Sequence, residues 1–538
     1  MNYISFSSGR LMLAGKDKIP RIYVRGTDKG ILRAADDLCM DFFRVTGRAA
    51  LITKDETMAD LVIETSDSGE WESFRIFFRE KQLVVSGSDK RGTIFGIYDV
   101  SRKLGVSPWY WWADVAPAKH ENVYVNLDGV YMEGSPDVPY RGIFINDEES
   151  MAAWAMERKD FDYIDTYKHM YELMLRLKAN TLWPAMHSCS PWFHKNPENA
   201  KNAEEYGIVI GTAHCEQMLR NNITEYFPFE KRWEDRNPQK PLYKAVLGDS
   251  PDPCGYIYTD INPDTGEKVY NKEMIQDYWR ESVRLYGTKD NYYTLGMRGL
   301  HDFPWQPVGP YDPLSKAHLI EEVMEAQRRI LCEELKLPIT EIHQLFLPYK
   351  EMLEIYNAGM QVPEDVTLMW SNDNYGYLRQ LPTALEQKKS GGIGIYYHLS
   401  YCGCPKSYLW ISTTPFALMK EEMLKGYENG IRQIWIANAG DLKGAEKQIE
   451  YFLHLAWNAQ NAEKEDIADY LAKLGERDFG LPASDAYRYA QLELSLQQLA
   501  FSRKPEFFTR DLFALKVFGD EGMRYLKSYE KLFWQAQA

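Results

Sequence analysis

The 538-residue chain has no GxxxxGK[ST] loop and no glycine fingerprint behind its first strand-like run, so the common nucleotide-binding open sheets lose their phosphate cradle. It has no apolar run of membrane-spanning length. Its opening, MNYISFSSGRLMLAGKDK, lacks the basic segment, apolar core and small-residue cleavage site of an export signal. No membrane partner is expected. Positive charge is in short supply too: 63 Lys and Arg against 78 Asp and Glu leave a formal charge of -15. That field repels phosphate backbones, so no nucleic-acid partner is expected. Seven cysteines, odd in number and scattered, indicate free thiols more than a disulfide framework. What the chain does have is apolar and aromatic mass, 45% hydrophobic and 14% aromatic residues, with 15 Trp and 36 Tyr. This length and composition describe a folded protein of more than one core, with rings enough to line a ligand groove.

Residues 1–134 read as an α+β domain. IPRIYVRG, ADLVIET, FRIFFRE and KQLVVSG are strand-like, and ILRAADDLCMDFFRVTG and TIFGIYDVSRKLG carry helical periodicity. Gly134, Ser135, Pro136 and Pro139 mark a linker. From 135 to 443 the rhythm changes to eight near-continuous apolar runs: 142–146, 181–186, 208–213, 292–297, 341–347, 366–371, 393–399 and 433–438. Helical patterns separate most of them. Strands apolar on both faces and alternating with helices predict a parallel sheet, and eight such units predict a closed (β/α)₈ TIM-like barrel. Residues 444–538 read as a helical domain.

In such a barrel the C-terminal strand ends share one rim, so each strand is read for its last polar groups. Strand one supplies Asp147 and Glu149, strand two Trp183 and His187, and strand three His214 with Glu216. Strand four supplies Arg298 and Asp302, and strand five Tyr349, Lys350 and Glu351. Strand six supplies Trp370, Asp373 and Asn374, strand seven Tyr397, His398 and Tyr401, and strand eight Asn438. Any one carboxylate here is more often a cap or a salt-bridge partner, whereas the whole set exceeds what a structural rim needs. Several carboxylates among aromatic and amide groups suit glycoside cleavage, where a protonated acid assists the leaving oxygen and an ionised carboxylate serves as base or nucleophile. A divalent-metal hydrolase using His187, His214, His398 and Asp302 is the competing reading, but the usual zinc spacings are absent.

RGIFINDEE, NTLWPAMH, GMRGLHD, LPYKE, NAGMQVPEDVTLMWSNDNYGYLRQLP, GGIGIYYHLSYCGCPKSYLWISTTP and IRQIWIANAGDLKGAE together resemble glycoside hydrolase family 115, the xylan α-1,2-glucuronidases. The resemblance covers most of the chain. It implies release of α-1,2-linked glucuronic acid, or its 4-O-methyl ether, from glucuronoxylan or branched xylo-oligosaccharides, with inversion and no metal or organic cofactor. Another uronic-acid-bearing plant glycan, or a noncatalytic carbohydrate-binding role, is the alternative. By motif, Glu351 is the first choice for general acid and Asp302 for base, and the two assignments are exchangeable. Asn374 and Asn438 resemble substrate-contacting amides, Arg298 offers a fork for the uronate, and His187, His214, His398, Tyr349, Tyr397 and Tyr401 offer sugar contacts. Trp183 and Trp370 are candidate pyranose platforms, and Asp147 and Glu149 orient substrate or supply the base. The resemblance also implies a periplasmic or secreted location and leaves a homodimer open. The family pattern departs here at Asn372, where a second acid is commoner, and at Cys402, where a larger aromatic is expected. Family members are commonly longer, with a β-rich region after the helices, whereas this chain stops at Ala538.

Overall fold

The runs read as strands in the first part of the chain pair into a mixed sheet. The computed structural model describes residues 2–503, apart from 67–68, 146–148, 186, 245–255, 306, 309–311, 400–411 and 413. The sheet has six strands, in the spatial order Leu51–Ile52, Arg21–Val24, Leu61–Thr65, Gln82–Gly87, Phe74–Arg79 and Val130–Glu133. The first four run parallel, and Phe74–Arg79 is antiparallel to both its neighbours. Lys29–Thr46 and Lys90–Lys103 are its helices. The first starts where the Asp28 carboxylate accepts from the Ile31 amide at 3.0 Å, and it ends at Gly47, whose amide donates to Phe43 O. An acceptor cap at one end and a left-handed glycine at the other delimit it.

The barrel strands are Tyr140–Ile145, Thr181–Trp183, Val209–Ile210, Tyr292–Thr294, His343–Phe346, Thr367–Ser371, Ile393–His398 and Ile431–Gly440, hereafter strands one to eight. Every hydrogen-bonded pair among them is parallel, in the order three, two, one, eight, seven, six, five, four. All eight expected strands therefore form one curled, TIM-like sheet, most of them shorter than the apolar runs that announced them. The expected closure is the point of difference. Among the described residues the ladder is open between strands three and four, because strand three is two residues long and leaves little backbone to pair. The Thr294 hydroxyl bridges the gap, donating to Thr212 O at 2.6 Å.

Side chains alternate across this sheet, so each strand splits between two cores. Phe144, Trp183, Leu345, Met369, Tyr396 and Ile436 fill the barrel interior. Ile143, Leu182, Phe346, Leu368, Trp370, Tyr397 and Trp435 face outward and join the core beneath the helices. Arg141, also in strand one, reaches the first sheet. Its Nη2 donates to Glu72 at 2.6 Å, and Asn180 Nδ2 and Arg91 Nε bind the same carboxylate. Glu72 and Arg141 are both fully buried. Burial works against the Glu72 charge, but Arg141 and Arg91 prevail and hold its carboxyl below the usual range. After strand eight come the helices Glu446–Trp457, Ala459–Ala462, Ile467–Phe479 and Ala483–Arg503. No helix among the described residues is long and apolar enough to cross a membrane.

Candidate active site

Strands four and five end in turns that bring their polar groups together. After Thr294 the chain runs through Arg298 into a short 3₁₀ turn, Leu300–Asp302. Gly299 permits this turn, since a Cβ there would stand 2.4 Å from Phe303 O. Arg298, only 1% exposed, lies beneath both carboxylates. Its Nε donates to Asp302 Oδ1 at 2.5 Å and its Nη2 to Asp302 O at 2.9 Å, while Nη1 lies 2.5 and 2.6 Å from the two Glu351 oxygens. The Trp305 amide adds a bond to Glu351 Oε1 at 3.0 Å. Two acids from the ends of adjacent strands thus share one buried guanidinium.

Asp302 has further partners. His214 Nε2 lies 2.8 Å from Oδ1, and Lys350 Nζ 3.2 Å from Oδ2. Burial raises the cost of its charge, yet His214, Arg298 and Lys350 outweigh it and hold the carboxyl well below the ordinary carboxylate range. His214 itself is pushed down, first by burial and then by Arg298 and Lys350. His214 Nε2 is thus committed to Asp302 as the donor of an N–H bond. Its Nδ1 is buried without a hydrogen-bond partner among the described residues.

A second relay lines the neighbouring wall. His398 Nδ1 and its amide both reach Asn372 Oδ1, at 2.7 and 2.9 Å. The shared oxygen assigns the proton to Nδ1 and leaves Nε2, 3.3 Å from the Tyr349 hydroxyl, as an acceptor. Burial pushes His398 down to about 3, so it stays neutral. Asn438 Nδ2 donates to the Tyr396 hydroxyl at 2.6 Å. Asn372 and Tyr396 were not among the expected site residues. The usable signal was the alternation in IGIYYH, where Tyr396 and His398 share one face.

The structure thus brings together Asp302, Glu351, Arg298, His214, Tyr349, His398 and Asn438, and corrects several other expectations. Arg298 is occupied by two carboxylates and is no open fork for a uronate. Trp370 and Tyr397 point outward: Trp370 packs edge-on to Tyr356, and Tyr397 donates to Gly376 O at 3.0 Å. Trp183 is inside the barrel but has no exposed surface and stacks on Tyr396 at 5.6 Å, so it packs the interior rather than offering a face to sugar. Asp373 is spent on its own loop, accepting from the Tyr375 and Tyr377 amides at 2.9 and 3.0 Å and pairing with Arg379. Asn374 and His187 lie half-buried in the loops after strands six and two. Asp147 and Tyr401 lie outside the described residues, and Glu149 opens the helix Glu149–Glu157 with its side chain outside the description.

The competing metal reading does not fit the donors. Among the described residues, His214, Cys215 and Asp302 place ligand atoms within 4.8 Å of one another, without His187 or His398. Burial pushes the Cys215 thiol well up, and the Asp302 oxygens are taken by His214, Arg298 and Lys350. A carboxylate whose oxygens are already paired makes a poor ligand.

A model of glycosyl hydrolase family 115 matches residues 133–507. A solved structure of a family GH115 4-O-methyl-α-glucuronidase, BtGH115A, with specificity for decorated arabinogalactans, is 34% identical. It superposes with a TM-score of 0.81 over 97% of this chain and 68% of that one. Two more distant structures share the fold alone. A GH138 enzyme targeting pectin rhamnogalacturonan II is 12% identical, with a TM-score of 0.53 over 90% of this chain and 56% of that one. A Flavobacterium johnsoniae chitobiase is 10% identical, with a TM-score of 0.52 over 96% of this chain and 76% of that one. No curated protein matches the chain. With most of its length under the family model and a third of its residues shared with a solved member, the chain belongs to glycosyl hydrolase family 115 and is a glycoside hydrolase.

Proposed function

We propose that this site hydrolyses an α-linked glucuronic acid, or its 4-O-methyl ether, from the side chains of a plant glycan. An arabinogalactan-type glycan is the first candidate substrate and glucuronoxylan the second. The observation that carries the reading is the Asp302 and Glu351 pair on Arg298, which sets two carboxylates at adjacent strand ends of a family 115 barrel. The 34% identical relative with specificity for decorated arabinogalactans supports the order of substrates. The strand-end motifs that resemble xylan α-glucuronidases keep xylan second.

Asp302, held ionised by its three partners, is the base that activates water, and inversion follows from that role. Glu351 is the acid candidate. Arg298 and the Trp305 amide favour its ionised form, so the acid role requires substrate to displace part of that set. Asp147 and Glu149 are the rivals of Asp302 for the base. Leaving-group dependence separates the roles. Glu351→Gln should lose far more rate on a sugar leaving group than on an activated aryl α-glucuronide, whereas Asp302→Asn should lose rate on both alike. Equal losses for Glu351→Gln would take the acid role from Glu351, and an Asp302→Asn that keeps its rate on both substrates would move the base to strand one. Uronic acid released from decorated arabinogalactan and from glucuronoxylan oligosaccharides, compared under one set of conditions, orders the substrates. Binding without release would assign a noncatalytic role.

A further inference from the structure

A uronate carboxylate bound at this site brings a negative charge that must be paired as it leaves water. The cations on hand among the described residues are few. Arg298 uses all three of its nitrogens on Asp302 and Glu351. His398 is held neutral by burial, and His214 Nε2 is committed to Asp302. Arg379, on the strand-six loop, is paired with Asp373.

Lys350 differs from all of these. Its side chain is 41% exposed, its Nζ makes one bond among the described residues, at 3.2 Å to Asp302 Oδ2, and two donors remain. Its ammonium stands 5.2 Å from the centre of the Tyr349 ring. The backbone holds it there at a cost. Lys350 sits at φ 51° and ψ −120°, a conformation L-residues rarely adopt, and its partner Asp302 also has positive φ, 61°. Two positive-φ residues joined by an ion pair, one of them a candidate catalytic carboxylate, are the kind of feature that a binding site retains.

Resting on the uronoside reading above, we infer that Lys350 is the cation that recognises the substrate's uronate carboxylate, reaching from Asp302 to the sugar with its remaining donors. Selectivity for a uronic acid over the neutral hexose then resides in a partly exposed lysine beside Asp302 and not in the buried arginine. Arg298 instead positions the two carboxylates.

The test is calorimetric binding of free D-glucuronate and D-glucose to the wild-type protein, Lys350→Met and Lys350→Arg, with melting curves to verify folding. Kinetics on an α-uronoside and its methyl ester follow the same variants. Wild type should favour glucuronate over glucose, Lys350→Met should lose about tenfold to a hundredfold of that preference, as for one charge-assisted bond, and Lys350→Arg should keep most of it. The KM for the acid should rise in Lys350→Met while that for the ester stays put. A wild type that prefers glucuronate and a Lys350→Met that retains the preference would overturn the role of Lys350 alone. Equal losses on acid and ester would likewise reduce Lys350 to a tether for Asp302. A wild type that does not distinguish the two sugars would overturn the uronoside reading together with the inference.

Discussion

Asp302 concentrates the chemistry at the level of single residues, since one carboxylate touches Arg298, His214 and Lys350. Asp302→Asn should lower kcat about a hundredfold or more with a smaller change in KM, as measured by steady-state kinetics. The same residue has a signature in stability. A carboxyl whose folded pKa is depressed stabilises the fold above its unfolded value of about 4 and loses that contribution as pH falls toward the folded value. The melting-temperature gap between wild type and Asp302→Asn should therefore be wide at neutral pH and shrink below about pH 4. A gap independent of pH would show that the ion pairs do not stabilise the native state. For individual residues the sequence disclosed types better than directions. Arg298, Asp302 and Glu351 were legible as strand-end polar groups, but their sharing of one guanidinium depends on a turn through a positive-φ aspartate that no periodicity announces. Trp370 and Tyr397 were misplaced for a related reason. In a strand apolar on both faces, the inward set and the outward set have the same composition.

Among the elements, strands place the site more than helices do, and their own packing leaves little slack. Gly142, in strand one, sits so close to strand two that a Cβ would fall 1.7 Å from Thr181 O. Gly142→Ala should separate the two strands and destabilise the protein by at least about 1–3 kcal/mol, the usual cost of overpacking, as read from denaturant melts. An unchanged midpoint would mean that this pairing is looser than its register of Gly142 to Thr181 implies. Strand existence was legible because apolar runs of this length between helices have few other uses. Strand ends were not, because the chain leaves the ladder for the rim while still apolar. Strand three shows this, ending at Ile210 although the apolar run continues to Ala213.

Across the whole molecule, the first sheet meets the barrel through Glu72, Arg141, Arg91 and Asn180. Removing one partner of a fully buried pair strands the other, so Arg141→Met should cost about 3–5 kcal/mol, and adding Glu72→Gln should restore part of it. Additive losses would contradict that coupling. This contact was invisible in sequence, since Glu72 lies 69 residues before Arg141 in a stretch that reads as surface loop. The curled eight-strand sheet, by contrast, was evident from the spacing of apolar runs alone. Whether this barrel removes an α-linked uronic acid through water activated by Asp302 is decided by time-resolved NMR of a 4-O-methylglucuronate-decorated arabinogalactan oligosaccharide. Uronic acid should appear first as the β-anomer in wild type, and release should be nearly abolished in Asp302→Asn. First appearance of the α-anomer, or release undiminished in Asp302→Asn, would contradict that mechanism.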